Sequence, residues 1–217
     1  MRIAAVLAAV LAFAVPAFAV APQPPSDASA VIARMLASNP ALITYRARVH
    51  VDVHMLNFPY LSPVLDGTTY YKRPGNFEVV FDSVPFYMKG FSRLFADMGD
   101  AAVWQRDSNV SLLGTRGVGG RPLLVLRMTK KVHSDILGYT DAYVDPRTYE
   151  LLRMVWHYRS GGTIVMTQSY RPQSGFVVPF EQHATIDIPH VHAVGDAVYG
   201  SYQVNVVVDD GIFSKHP

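Results

Sequence analysis

The sequence predicts an α+β, mainly antiparallel β fold: one strongly curved sheet with a few helices covering its apolar face. Three observations carry this. Residues 43–56, ITYRARVHVDVHML, alternate without a break: Tyr45, Ala47, Val49, Val51, Val53 and Met55 fall on one parity, and Thr44, Arg46, Arg48, His50, Asp52 and His54 on the other. That period of two is the mark of a strand with one buried and one wet face, and a helix would scatter the same residues around its circumference. Beyond residue 105, strand-length segments rich in Val, Leu, Ile and Tyr follow one another, separated by Gly, Pro, Asp and Ser turns. Half of the 217 residues are hydrophobic and 12% are aromatic, which suffices for a single core of good size.

Composition excludes several classes of function. Nineteen Lys and Arg against 17 Asp and Glu leave a net charge of +2, and the basic residues are dispersed, so no nucleic-acid partner is expected. The absence of cysteine removes a disulfide framework, a thiolate metal site, a cysteine nucleophile and a lipidated cysteine. At the N-terminus, Arg2, the apolar run Ile3–Val15, Pro16 and Ala17-Phe18-Ala19 form a signal peptide, residues 1–19, with cleavage expected after Ala19. The apolar run is shorter than the ~20 residues a spanning helix needs. The chain is expected to be exported as a soluble monomer. Residues 20–26 form a Pro-rich spacer, and 27–217 a single domain.

Within that domain, Ser26 or Asp27 caps a helix running to about Ser38, with Val31, Ile32, Met35 and Leu36 on one side. Asn39-Pro40 stops it, and the long first strand follows. Residues 57–63 turn, 65–73 form a second strand, and Pro74-Gly75-Asn76 closes a tight connection. The chain returns along 77–82 with Phe77, Val79 and Phe81 on one face. Phe86–Met98 places Phe91, Leu94, Phe95 and Met98 at helical spacing, and Gly99-Asp100 ends it. A short helical turn spans 101–105. Strands are expected over 109–113, 123–130, 141–144, 151–158, 163–170, 176–188 and 197–208, with a glycine-rich turn over 114–120.

The ordered run of helix, long amphipathic strand and hairpin "G…KRPGNFEVVF", carried by Gly67, Lys72, Arg73, Pro74 and Phe77, resembles the periplasmic outer-membrane lipoprotein carrier (LolA-like) and the wider lipoprotein-sorting superfamily. The likeness is good over about residues 28–82. It is looser over "YVDPRTYELLRMVWHY" and "GGTIVMTQSY", and it breaks at the Phe86–Met98 insertion. The resemblance implies a half-barrel whose apolar concave face, covered by helices, leaves a cavity for acyl chains. Cavity candidates are then Val49, Val51, Val53, Met55, Phe77, Val79, Phe81, Phe91, Leu94, Phe95 and Met98. On composition alone the aromatic and methionine-rich helix equally fills an ordinary core. In the family the arginine of the KRP motif holds the lid helices closed, a role the motif places on Arg73; a rim arginine in a surface turn is the alternative.

Other chemistry has weaker support. His50 and His54 lie about 13 Å apart along one strand; His190 and His192 share a face and His183 adds a third nitrogen, but no HExxH pattern accompanies them, so no metal is expected. No Gly-x-Ser-x-Gly elbow occurs, and Asp52, Glu78 and Asp82 read as a solvated sheet face. The expected function is binding and carrying lipid or lipoprotein acyl chains through the periplasm, without a cofactor, between membrane-bound donor and acceptor proteins. An envelope lipid-sensing module is the alternative, and an exported hydrolase a weaker one.

Overall fold

The computed structural model describes residues 25–58, 60–85 and 100–214. The expected leader and the helix Phe86–Met98, with Phe91, Leu94, Phe95 and Met98, lie outside the described residues. Helix α1, Ala28–Ala37, starts where Asp27 accepts a hydrogen bond from the Ala30 N–H at 2.8 Å and ends at Ser38. It buries Ala28, Val31 and Ile32. Then come β1 (Thr44–Met55), β2 (Val64–Lys72), β3 (Asn76–Phe81), α2 (Ala101–Asp107), β4 (Ser108–Val118), β5 (Arg121–Lys130), β6 (Leu137–Val144), β7 (Leu151–Tyr158), β8 (Thr163–Gln173), β9 (Phe176–Ile188) and β10 (Val191–Val204).

All ten strands form one antiparallel sheet in the order β3-β2-β1-β10-β9-β8-β7-β6-β5-β4. Two meanders, β1–β3 and β4–β10, are joined edge to edge by the pairing of β1 with β10. β3 and β4 remain the two free edges, so the sheet is open. β1 behaves as its alternation dictates: Tyr45, Ala47, Val49, Val51 and Val53 are buried while Arg46, Arg48 and His50 are exposed. Register breaks between Arg46 and Arg48, between Leu112 and Gly114, and between Ser169 and Tyr170 mark bulges, which bend the strands that carry them.

The concave face carries two apolar clusters. One lies on β1, β2, β3, β9 and β10 and includes Val49, Val51, Val53, Leu65, Val79 and Val178. The other lies on β5–β8 and takes in Val31 and Ile32 of α1 with Ala101 and Trp104 of α2. The described helices thus cover the second half of the sheet, and a hollow is left between the clusters at one end.

Several sequence expectations are corrected. β4 runs through Val118, so the glycine-rich turn over 114–120 shrinks to Gly119-Gly120, and Gly114 is a bulge position. β6 begins at Leu137 rather than at 141, and β8 continues to Gln173. β10 spans 191–204 rather than 197–208, because its first half pairs with β1 through Gly195 and Asp196, where glycine and charge hide the alternation. Glu78 lies on the outward parity of β3, yet it is buried and not solvated.

Candidate functional site

The β2–β3 hairpin organises the hollow. Tyr71 lies at the end of β2 and Arg73 just past it, the Arg73–Pro74 peptide is cis, and Gly75 turns the chain at φ 71°. Arg73 donates from its two terminal nitrogens to the carbonyls of Asn39 and Pro40, each at 3.0 Å. These carbonyls lie in the strap that follows α1, one residue and two residues past its C-cap. The same strap is held from the opposite wall, where the Asn39 amide donates to the Val177 carbonyl at 2.6 Å and accepts from the Val177 N–H at 3.2 Å. On the other side of the hairpin, Asp100 accepts from the Tyr71 hydroxyl (2.8 Å) and the Gly75 N–H (2.9 Å) while capping α2 through the Ala102 N–H (2.9 Å). One four-residue turn therefore grips the tail of α1 with a guanidinium and the head of α2 with a backbone amide. The sequence motif pointed at Arg73; Asp100 read only as a helix stop.

Between strap, α2 and sheet lies a cavity of about 450 Å³. Met35, Leu36, Leu42, Phe77, Leu151 and Val177 supply its apolar wall. The remaining wall is polar and aromatic, unlike the wholly apolar lining the resemblance implied. Tyr45 stacks on Tyr71 (centroids 5.1 Å, 22°) and meets Tyr202 edge-on. The hydroxyl of Tyr199 donates to Gln182 Oε1 at 2.6 Å, the Gln182 amide to Gln168 Oε1 at 3.0 Å, and the Gln168 amide to the Leu151 carbonyl at 2.8 Å and to the Tyr170 hydroxyl. Tyr170 itself donates to the Leu151 carbonyl. The buried amides are thus paired, as burial demands. Tyr45 differs: its hydroxyl has no partner among the described residues. Burial, then the neighbouring Tyr202, pushes its pKa well above the ordinary phenol. Tyr71 is pushed up to about 12, first by burial and then by the Asp100 carboxylate. Both stay neutral hydrogen-bonding groups at any physiological pH.

The sequence candidates divide cleanly. Arg73 and Phe77 line the cavity. Val49, Val51, Val53 and Val79 lie in the packed core beside it, and Met55 and Phe81 are half-buried against that core. Tyr45, Tyr71, Gln168, Tyr170 and Gln182 were not singled out. Their signal is a polar or phenolic side chain at an inward strand position, as in Ile164, Met166, Gln168 and Tyr170 along β8.

Several histidines pair with carboxylates on the convex face instead of converging. His50 Nδ1 lies 2.9 Å from Asp66, His183 Nδ1 2.7 Å from Asp196, and His192 Nδ1 2.8 Å from Asp187. His190 stands in the β9–β10 turn at φ 70°. Among the described residues no three His or carboxylate groups gather as metal ligands would. No described helix is long and apolar enough to cross a membrane.

Among solved structures the fold is similar to three bacterial proteins. A domain from Vibrio parahaemolyticus, assigned to outer membrane lipoprotein sorting, gives a TM-score of 0.67 at 10% identity over 85% of this chain and 95% of that one. A DUF1329 family protein from Desulfovibrio piger gives 0.62 at 12% identity, over 84% and 94%. A LolA superfamily protein from Nitrosomonas europaea gives 0.58 at 12% identity, over 88% and 99%. No protein-family model matches the sequence. No curated protein matches it either. At such identities the likeness is one of fold: the chain has the open, LolA-like half-barrel.

Proposed function

We propose that the protein is exported to the periplasm and there binds, and carries, a lipid or a lipoprotein acyl chain in the cavity behind the 39–40 strap. The observation that carries this is the cavity itself: about 450 Å³, open at one end of a curved sheet, with an aliphatic wall facing a phenolic one. Small-molecule sites occupy roughly 300–1,000 Å³. Burying a chain contributes about 0.8 kcal/mol per CH₂, so one chain binds firmly without a charge contact. The Tyr45 hydroxyl, without a partner among the described residues, supplies a point for a polar group of the ligand.

Carriage requires a second state of lower affinity. The strap is the candidate moving part, because two hydrogen bonds from Arg73 and two with Val177 hold it. A membrane-bound donor and acceptor would then act by loading and opening the site.

Native mass spectrometry of the exported protein tests the reading, together with uptake of a fluorescent fatty acid by delipidated protein. Bound lipid, or saturable uptake lost in Tyr45→Trp, which fills the space, supports it. Exhaustive extraction that yields nothing, with no uptake, refutes it. N-terminal sequencing should begin at Val20; an intact Met1 chain in the membrane fraction would refute export by a cleaved signal.

A further inference from the structure

In this antiparallel sheet the loops fall into two sets, one at each end of the strands. The cavity and the β2–β3, β6–β7 and β8–β9 turns occupy one end. The β1–β2, β5–β6, β7–β8 and β9–β10 connections occupy the other. Large hydrophobic side chains that remain exposed gather at this second rim: Leu56, Phe58, Tyr60 and Val64 about the β1–β2 loop, and Val132 and Ile136 in the β5–β6 loop. Tyr60, Val132 and Ile136 are 79%, 82% and 68% exposed. Apolar side chains scattered singly over a surface are ordinary, and those grouped in a patch mark a contact site.

The β1–β2 loop is built to hold them there. From Leu56 to Leu65 it carries no charged residue. Backbone hydrogen bonds tie it to the fold at several points: Val53 N–H donates to the Pro63 carbonyl, Met55 N–H to Leu61, Leu61 N–H to Phe58, and Leu56 N–H to His192. The Asn57 side chain donates to the His190 carbonyl and accepts from the His192 N–H, tying the loop to the β9–β10 turn. Phe58 and Tyr60 sit edge to face, 6.2 Å between centroids.

The β5–β6 loop adds charge. Lys130, Lys131, Arg106 and Arg159 surround it and outnumber Asp107 and Asp135. Lys131 Nζ donates to the Gln105 carbonyl and Arg159 to the Ser134 carbonyl, so both cations are anchored beside Val132 and Ile136. Arg106 pairs with Asp107, and elsewhere on the rim Asp82 is paired with Arg48.

We infer that this rim docks on a bilayer containing anionic lipid, with Phe58 and Tyr60 entering the interface at one point and Val132 and Ile136 at another. Five strand steps separate β1 from β6, which at ~4.8 Å a step is about 24 Å along the arc. Two apolar tips that far apart match a plane better than a second copy of the chain, whose binding needs a continuous patch of about 800 Å² per partner. Tyrosine and phenylalanine favour the headgroup level, and Lys and Arg gain from anionic lipid beside it. The cavity lies at the other end of the strands, away from the docked rim.

Vesicle flotation of the mature, delipidated protein tests this. Vesicles of phosphatidylglycerol and phosphatidylethanolamine are compared with vesicles of phosphatidylcholine alone. The protein should float with the anionic vesicles at low salt, and Phe58→Ser with Tyr60→Ser should lower the bound fraction about tenfold or more. Lys130→Glu with Lys131→Glu should abolish the preference for anionic lipid. Val207→Ser, at the far rim, controls for general loss of hydrophobicity and should bind like wild type. Circular dichroism confirms that each variant is folded. Failure to float, or flotation insensitive to the rim variants, overturns the proposal, as does lipid-free dimerisation that the Phe58 and Tyr60 changes abolish. Fatty-acid uptake into the cavity is read separately, and the rim variants should leave it unchanged.

Discussion

Arg73 spends two of its donors on the carbonyls of Asn39 and Pro40. Each hydrogen bond from a charged group is worth about 1.5–3 kcal/mol, so their loss shifts a strap equilibrium tenfold or more. Arg73→Leu should leave the sheet folded, raise hydrogen exchange over residues 38–43 and speed ligand release about tenfold. Lysine should restore this in part, since it lacks the planar fork. Unchanged exchange and off-rate would show that the strap is held without it. A second prediction concerns Asp141, which is 2% exposed and accepts both hydrogen bonds of a bidentate Arg127, each 2.8 Å. That guanidinium lies over the Tyr139 ring, 3.9 Å from its centroid, and Tyr139 stacks on His157. Asp141→Ala leaves the guanidinium without its anion and should cost about 2–3 kcal/mol in denaturant unfolding; a loss below about 0.5 kcal/mol would mark the pair as ornamental. The histidines give a third test. The Asp66 hydrogen bond raises His50 above its ordinary 6.5, so its contribution is present in acid and lost as pH rises through the folded value. Burial lowers His157, ahead of the opposing pull of Asp141, so it costs stability as pH falls through 6.5. Two-dimensional NMR should find His50 titrating above 6.5 and His157 below it, with Asp66→Asn returning His50 toward 6.5. The opposite order would contradict both environments. At this scale the sequence was informative where a motif pointed, as at Arg73, and silent where function hides in parity. Tyr45 looks like any inward core residue until its hydroxyl is seen to lack a partner. Glu78 looks solvated because outward parity on an edge strand normally means water, and here it is buried.

The β2–β3 hairpin is the element on which both described helices converge, and its glycines explain how. Gly75 has φ 71°, and a Cβ there would run into the Val103 side chain of α2. Gly67 lets β3 close on β2, since a Cβ at this position would lie 2.7 Å from the Val80 carbonyl oxygen. Gly75→Ala should therefore combine left-handed strain with a clash, cost about 1–3 kcal/mol, and loosen α2 before it loosens the sheet. Exchange of the α2 amides read against those of β9 distinguishes this from global unfolding; equal acceleration of both would refute it. Elements were legible where one periodicity runs unbroken. β1 was read within a residue at each end because twelve positions alternate, and α1 because Asp27 caps it and Asn39-Pro40 stops it. β4 and β10 were shortened or shifted because glycines and charged residues interrupt them: GTRGV reads as a turn, and VHAVGD as a loop. A bulge such as that at Gly114 changes parity partway along the strand, which defeats a period-two reading.

At the scale of the whole molecule, the pairing that makes the sheet continuous joins Tyr45 to Val204 and Met55 to Ala193. No local pattern announces a contact between strands so far apart in the chain; only the resemblance implied a single half-barrel. Placing the helices over β5–β8 while β1 and β10 bridge the meanders leaves the hollow at one end, so cavity size follows from topology and not from any one residue. That size yields the last prediction. If the strap bounds the cavity of about 450 Å³, a single-chain fatty acid should stabilise the delipidated protein more than a triacylated lipopeptide at the same free concentration. A ligand at one hundred times its Kd adds about 2.7 kcal/mol, and in a chain of this length each kcal/mol moves Tm by about 2–4 °C. The expected rise is therefore about 5–10 °C for the fatty acid, and smaller for the lipopeptide, whose extra chains require the strap to open against the bonds of Arg73. In Arg73→Leu the strap is already released and the gap between the two ligands should narrow. Scanning calorimetry of the four combinations measures this directly. Equal shifts in the wild type would mean that the strap does not limit the cavity, and a gap unchanged by Arg73→Leu would mean that something other than this arginine does.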